Sequence, residues 1–340
     1  MKKIFVGIDF SKLKFDAAIY NGQKNENVNS QVFDNDKNGF KDLLKWIESQ
    51  TGIKRNDWLV CGEHTGLYSY ALSLYLSENG IDIWLESGLQ IKRTQGIKRG
   101  KTDKIDAFRI AEYAYRHNDK VKVFKPLSNS LDGLKDLLAY RERLVEAKKV
   151  FVISSKELKR VKQERTIAEF IITESSLEIQ SIELKIKNCE KKIEEIIQSE
   201  IDLDRNYKLL TSIKGIGMVN AVMVLTITAN FTLFTDPRKF GCYCGVVPFK
   251  YDSGTSVRGR TKISPLANRK VKTLLTQASR TCVMYDLEMR AYYQRISAEG
   301  KSDKIVINNV RNKLIHRMFA VVLNCNMYNP NYINPLKQVA

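Results

Sequence analysis

The sequence predicts an α/β domain at the N-terminus, followed by two long helices and a mainly helical remainder. Over the first 125 residues, short apolar runs alternate with amphipathic segments, which is typical of strands and helices packed in layers. After Pro126 the composition changes, because residues 128–200 are rich in Lys, Glu, Leu and Ile and contain a single glycine, Gly133. Such a stretch favours long, uninterrupted helices.

The apolar runs of the first domain predict three strands, a helix, a strand, a helix, a strand and a final helix. Thr102 is a good N-cap for the last helix. The predicted strands lie at 3–8, 15–20, 31–33, 58–61 and 81–85, and the predicted helices at 37–49, 67–78 and 103–117. An antiparallel hairpin unit followed by βα crossovers predicts an RNase H-like α/β fold.

Four carboxylates occupy positions that this fold would bring together. Asp9 ends the first strand, Glu63 follows the fourth, and Asp103 and Asp106 lie three apart on one helix face. Like charges so placed repel each other unless a divalent cation such as Mg²⁺ lies between them. The four predict a two-metal site for phosphodiester chemistry. In the alternative interpretation, the helical acids only favour the helix dipole, Asp9 merely ends a strand and Glu63 lies in a surface loop. We interpret His64 as structural or as supporting the site from outside the ligand set.

The net charge of the chain restricts its class of partner. The formal charge is +18, with a pI of about 9.5, which favours a polyanion, most simply nucleic acid, over an anionic membrane surface. No apolar stretch is long enough to span a bilayer, and the N-terminal apolar run is too short for a signal peptide. The six cysteines predict reduced thiols in the cytoplasm, since Cys242 and Cys244 lack the second pair that a zinc site needs.

The two long helices are predicted to join near residues 164–176 and to form a coiled-coil arm, although a plain helical spacer fits equally well. The predicted domains are therefore 1–125, 126–203, 204–325 with a helix-hairpin-helix, and a tail at 326–340. In the third domain, a Gly-Ile-Gly turn at 215–217 would let backbone amides approach a phosphate, and plain helix packing is the alternative. A polar, cationic loop at 249–263 precedes a helix at 266–284 with a basic face. The predicted nucleic-acid contacts are Lys98, Arg99, Lys101, Lys214, Gly215, Gly217, Arg258, Arg260, Lys262, Arg269 and Lys270.

The ordered set of motifs resembles the DEDD-type insertion-sequence transposases of the insertion-sequence-110 group, which join a RuvC-like N-terminal domain to a serine-containing C-terminal domain. The matching pieces span nearly the whole chain in the family order, at residues 6–9, 63–68, 101–107, 213–217, 245–248 and 253–254. The resemblance implies a site-specific recombinase that moves a mobile element. It makes Asp9, Glu63, Asp103 and Asp106 the Mg²⁺-binding tetrad, with Mn²⁺ able to substitute, and Ser253 the nucleophile that holds a DNA end covalently.

The resemblance also implies the partners. These are donor and target DNA, a noncoding bridge RNA from the element, and further copies of the chain in a dimer or tetramer with a composite active site. The implied location is the bacterial cytoplasm, at the nucleoid when bound, with no membrane. One stretch departs from the family: residues 263–270 replace its usual Lys-Arg/Pro-Gly-Asn segment, and Ser256 therefore competes with Ser253 for the nucleophile role.

Three other functions share part of this pattern. A Holliday-junction resolvase of the RuvC type would use the same carboxylates with water as the nucleophile and would form no covalent adduct. A sugar-kinase or actin-like ATPase has a similar first phosphate loop at residues 7–11, but we find no second phosphate loop or adenosine motif here. A DNA-binding protein that lost its chemistry would have no need of all four carboxylates.

Overall fold

The computed structural model describes residues 2–22, 29–94, 102–161, 166–253 and 257–330, with side chains described outside 250–262. The chain divides into two compact units, Met1–Pro126 and Leu127–Ala340. The N-terminal unit is α/β and the C-terminal unit is mainly helical, as predicted. No helix in the described ranges is long and apolar enough to cross a membrane.

The N-terminal unit contains a mixed five-stranded sheet in the order β3-β2-β1-β4-β5. Its strands are β1 Ile4–Phe10, β2 Lys14–Tyr20, β3 Ser30–Asp34, β4 Trp58–Glu63 and β5 Asp82–Glu86. Strands β1, β2 and β3 pair antiparallel, whereas β4 pairs parallel with both β1 and β5. All five strands lie where the apolar runs predicted them, to within two residues at either end.

Four α-helices accompany this sheet: α1 Lys37–Thr51, α2 Leu67–Glu78, α3 Gly88–Thr94 and α4 Asp103–Arg116. Side chains fix the start of two of them, since Asp36 accepts the amides of residues 38 and 39, and Thr102 accepts the amide of Ile105. The predictions of α1, α2 and α4 are confirmed. The short helix α3 was not predicted.

Side-chain alternation along β1 separates the two cores of this unit. Ile4, Val6 and Ile8 pack in the core that also contains residues of α1 and α2, whereas Phe5 packs with α4 on the opposite face. By the same alternation, Gly7 and Asp9 face α4.

The helix α4 lies directly on the backbone of β1. A Cβ atom added at Gly7 would lie 2.0 Å from the carbonyl oxygen of Ala107 and 2.3 Å from the amide nitrogen of Ala111. Both distances are far below van der Waals contact, so only glycine allows this approach. The contact brings the first turn of α4 to the end of β1 that carries Asp9.

The C-terminal unit begins with two long helices, α5 Asn129–Val161 and α6 Thr166–Gln198. They run antiparallel, because Arg141 pairs with Glu190 at 2.8 Å and Lys148 pairs with Glu183 at 2.6 Å. The prediction of a junction near 164–176 was wrong for residues 166–176, which belong to the helix α6. That segment has no helix-breaking Gly or Pro, so it forms the first turns of α6 instead of a loop.

The rest of this unit shares one core with the base of α5 and α6. Its elements are α7 Ile201–Thr211, α8 Met218–Ile227, α9 Pro237–Tyr243, β6 Phe249–Ser253, β7 Val257–Lys262, α10 Arg269–Tyr285, α11 Leu287–Ala298 and α12 Asp303–Leu323. The predicted loop at 249–263 is a two-stranded hairpin, because pairing between β6 and β7 satisfies backbone groups that a loop would leave to water. Part of the predicted tail is anchored, since Tyr328 donates to Asp286 at 2.8 Å.

Candidate active site

Carboxylates from three parts of the N-terminal unit converge on Asp9. Burial raises the pKa of Asp9 to about 6, and four neighbouring carboxylates add to the rise through their negative charges: Asp103, Asp106, Glu63 and Asp16. The structure therefore brings the other three members of the predicted tetrad within electrostatic reach of Asp9. The arrangement concentrates negative charge at the ends of β1 and β4 and at the start of α4.

Strand pairing explains why Glu63 lies level with Asp9. Ile8 is opposite Gly62 in the parallel ladder, so the next residues along the two strands, Asp9 and Glu63, end side by side. The carboxylate of Glu63 lies against the first residue of α3, because a Cβ atom added at Gly88 would lie 1.8 Å from Glu63 Oε1. Gly88 thus provides the space that Glu63 occupies. The sequence analysis missed this residue because it did not predict α3.

A fifth carboxylate, Asp16, belongs to the cluster and was not predicted. Asp16 is directly opposite Asp9 in the antiparallel pair of β1 and β2, so both side chains lie on the same face of the sheet. Burial and the charge of Asp103 raise the pKa of Asp16. Asp16 could have been predicted from the register of the hairpin, since a tight turn between the strands places Asp9 and Asp16 opposite each other.

One cation partly compensates the cluster. Arg109, one turn along α4, pairs with Asp106 at 3.1 Å, and both side chains are largely withdrawn from solvent. This pair fixes the rotamer of Asp106 on the face of α4 that also carries Asp103. His64, by contrast, is exposed, and its backbone amide donates to the carbonyl oxygen of Glu86 at 2.9 Å.

The chemistry of the cluster suits a hard divalent cation. Carboxylate oxygens are the ligands that Mg²⁺ prefers, and the raised pKa of Asp9 reflects negative charge that a cation would neutralise. Across the described ranges, no group of three or more His, Cys, Asp or Glu side chains is arranged to hold a metal ion as it stands. Ion binding would therefore have to draw these carboxylates closer together.

The Gly-Ile-Gly turn between α7 and α8 gives its two glycines different roles. Gly215 has φ +92°, and a Cβ atom there would lie 2.5 Å from the carbonyl oxygen of Ala278, so this glycine serves packing against α10. Gly217 has open space around the position of a Cβ atom, and no side chain caps the start of α8. The amides at the start of α8 therefore face an accessible surface next to Lys214, which is itself exposed.

Several predicted site residues lie outside the described residues, namely Lys98, Arg99, Lys101 and Ser256. The backbone places Ser253 at the last position of β6, paired with Val257 of β7. The side chains of Ser253, Arg258, Arg260 and Lys262 are not among those described. At the start of α10, Arg269 is exposed, and Lys270 forms an ion pair with Glu142 of α5.

Two family models match the chain. A model of DEDD-type transposases, described as "Transposase", matches residues 6–155, and one described as "Transposase IS116/IS110/IS902 family" matches residues 207–294. Together they cover more than half of the chain. The first match spans the four predicted acidic residues, and the second spans the Gly-Ile-Gly turn and the β6–β7 hairpin.

Similar proteins extend this result. The "Pilin gene-inverting protein" of Moraxella lacunata and that of Moraxella bovis are each 25% identical over 327 residues, which is 95% of this chain and 96% of the relative. The "Insertion element IS110 uncharacterized 43.6 kDa protein" of Streptomyces coelicolor is 28% identical over 121 residues, which is 35% of this chain and 29% of that protein. The molecule is thus a DNA recombinase of the transposase class. Within that class, the chain belongs to the IS110 family of transposases.

Proposed function

We propose that the protein is a site-specific DNA recombinase of a bacterial insertion sequence that uses Mg²⁺, held by Asp9, Glu63, Asp103 and Asp106, and Ser253 as nucleophile. The observation that carries the proposal is the convergence of Glu63, Asp103 and Asp106 on Asp9. An RNase H-like, RuvC-like fold is part of the proposal, and the strand order β3-β2-β1-β4-β5, with α4 on β1, supports it. The two relatives named for inverting a pilin gene support DNA rejoining as the outcome.

In this proposal the chain's own residues divide the work. The four carboxylates would hold the cations, and the contact of α4 with the backbone of β1 keeps the elements that carry them next to each other. When bound, the cations supply Lewis-acid stabilisation of the charge that develops on the phosphodiester. Ser253 Oγ forms a bond to phosphorus as the bond to one deoxyribose oxygen breaks, and the hydroxyl proton passes to a base. Rejoining reverses this step with a new deoxyribose oxygen.

The proposed partners follow the family. We propose that a noncoding bridge RNA pairs with donor and target DNA, and that the protein acts as a dimer or tetramer in the bacterial cytoplasm, at the nucleoid when bound. The charge of +18 supports contact with several nucleic-acid backbones. The antiparallel pair of α5 and α6 is proposed as a coiled-coil arm, with Ile182, Cys189 and Ile193 buried along its seam.

A second candidate function is a RuvC-type, structure-specific endonuclease that uses water as the nucleophile. The acidic cluster favours it to the same degree as the recombinase, because the carboxylates alone suffice for metal-dependent hydrolysis. The two functions differ in one product: only the recombinase forms a covalent link between protein and DNA.

The test is a denaturing gel of the protein with Mg²⁺, labelled donor and target DNA, and RNA transcribed from the flank of the element. We expect a slowly migrating protein–DNA band for the wild type and for the matched control Ser256→Ala. The band should be lost in Ser253→Ala, which lacks the nucleophile, and in Asp103→Asn, which lacks a metal ligand. DNA cleavage without an adduct, at equal rates in the wild type and Ser253→Ala, would contradict the proposal and leave the endonuclease.

A further inference from the structure

Arg311, on α12, is a buried cation with no acidic partner among the described residues. Its side chain is 8% exposed. One guanidinium nitrogen, Nη1, donates to Asn308 Oδ1 at 3.0 Å, whereas Nε has no hydrogen-bond partner in the described structure. An unpaired, buried charged donor is costly, because the group has lost its hydration without regaining equivalent contacts.

A second cation lies next to Arg311. Lys272, on α10, is half-buried, and no carboxylate of the described residues pairs with it. Burial lowers the pKa of Lys272, and the positive charge of Arg311 lowers it further. Burial likewise lowers the pKa of Arg311, with a contribution from Arg280. Each shift reflects a positive charge that the fold leaves without compensation.

Two other arginines of the same helices are paired with carboxylates. Arg317, two turns along α12 from Arg311, pairs with Asp286 at 2.9 Å and also with Glu288. Arg280, on α10, pairs with Asp303 at 3.1 Å. Among the described residues, carboxylates therefore lie opposite Arg317 and Arg280 but none lies opposite Lys272 or Arg311. An anion from another molecule would supply what is missing.

The unpaired cations lie beside the segment that leads into β6. Asn308, which accepts from Arg311, donates to the carbonyl oxygen of Val246 at 2.9 Å. The Cδ atom of Lys272 lies 3.9 Å from the position of a Cβ atom on Gly245. The buried side-chain oxygen of Asn312 lies 3.8 Å from the position of a Cβ atom on Gly241, and it has no hydrogen-bond partner among the described residues. Lys272 and Arg311 therefore line the base of the hairpin that carries Ser253.

We propose that Lys272 and Arg311 bind a backbone phosphate of the DNA at the base of the β6–β7 hairpin. The inference rests on the proposed function in one respect, that the hairpin acts on DNA. A phosphate oxygen would accept from the ammonium group of the half-buried Lys272, and the negative charge of the anion would also compensate the neighbouring charge of Arg311. The contact positions the strand without reading its sequence.

The test measures binding of the full-length protein to a labelled DNA duplex of arbitrary sequence, by fluorescence anisotropy over a range of salt concentrations without Mg²⁺. We expect Lys272→Met to weaken binding about tenfold and to reduce the slope of log K against log salt by about 1. The matched control is Lys304→Met, which removes an exposed lysine from α12 and should weaken binding less than about twofold.

Melting temperatures separate binding from folding. Lys272 has no carboxylate partner in the described structure, so Lys272→Met should leave the melting temperature of the free protein unchanged or raised. Arg311→Lys should retain more DNA affinity than Arg311→Met, since it keeps the charge. Equal DNA affinity in Lys272→Met and Lys304→Met would overturn the proposal. A Lys272→Met variant that bound RNA of the same sequence more weakly, but bound DNA as the wild type does, would also overturn it. The readout needs no strand cleavage, so it is independent of whether Ser253 forms an adduct.

Discussion

The carboxylate of Asp9 lowers the stability of the folded protein at neutral pH, because it is ionised while partly buried among other acids. Its pKa is raised from 3.8 to about 6, so the folded protein binds this proton more tightly than the unfolded chain does. The contribution of Asp9 to stability is therefore most favourable below about pH 4, falls as the pH rises through the window between these values, and stays lower above pH 6. The side chain is partly exposed, and solvent screening reduces the effect to about 1 kcal/mol.

Replacing Asp9 by Asn should therefore stabilise the metal-free protein at neutral pH while abolishing the covalent adduct. We expect a melting temperature about 2–4 °C higher than wild type at pH 8, because the repulsion is gone, and no difference at pH 4, where Asp9 is protonated. Thermal denaturation at both pH values measures this. Asp119→Asn, at an exposed acid of the same unit, is the control and should show neither effect. A lower melting temperature for Asp9→Asn at pH 8 would show that the charge is needed for folding.

At the level of elements, the packing of α4 on β1 decides where the acids lie. Gly7 allows the two backbones to touch, and the register of β1 with its neighbours then aligns Asp9 with Glu63 and Asp16. The position of Asp103 and Asp106 depends on the same contact. A side chain at residue 7 would push α4 away and separate the helical acids from those of the strands.

Gly7→Ala is expected to destabilise the N-terminal unit by about 3 kcal/mol or more, because the added methyl group overlaps backbone atoms that cannot move independently. Gly133→Ala is the matched control. It lies inside α5 and its added Cβ atom would meet only Ile196 Cδ1, at 3.8 Å, so we expect a gain of about 0.5–1 kcal/mol. Urea denaturation of both variants measures the difference. Similar stabilities would mean that α4 can shift on the sheet without cost.

Elements with a strong local pattern could be predicted from the sequence, and those defined by tertiary contacts could not. The strands of the sheet, α1, α2 and α4 follow from apolar periodicity and capping residues. The helix α3 has seven residues, too few for a periodic signal, and lies against Glu63. The β6–β7 hairpin was interpreted as a loop because its charged residues obscure strand alternation. Arg311 carries no local sign of its burial and was not predicted, whereas Lys272 was predicted only as part of the basic face of the helix at 266–284.

At the scale of the whole molecule, the chain combines a strongly positive net charge with a local cluster of acids. The charge of +18 is spread over a chain whose N-terminal unit gathers four carboxylates around Asp9. The surrounding surface is correspondingly more basic than the net charge suggests. Such a molecule attracts nucleic acid at long range through its surface while keeping an acidic centre for cations.

The affinity for DNA should therefore depend steeply on salt. With at least six phosphate contacts, the slope of log K against log salt is expected to be steeper than about −5, and affinity should fall by about a thousandfold or more between 50 and 200 mM salt. Anisotropy titrations of a labelled duplex measure the slope. The control is a competition titration with unlabelled duplex at constant ionic strength, which measures the affinity without a change of salt. A slope near −1 would mean that most of the positive charge lies away from the DNA.

The order of elements along the chain also has a consequence during synthesis. The sheet of the N-terminal unit is complete at Glu86, whereas α4 begins only at Asp103. A nascent chain on the ribosome can therefore pair all five strands before half of the tetrad has been translated. When α4 emerges, its contact with Gly7 adds the last two acids at once. The acidic centre is thus assembled in a single late docking event, and a prematurely terminated polypeptide retains the sheet without it.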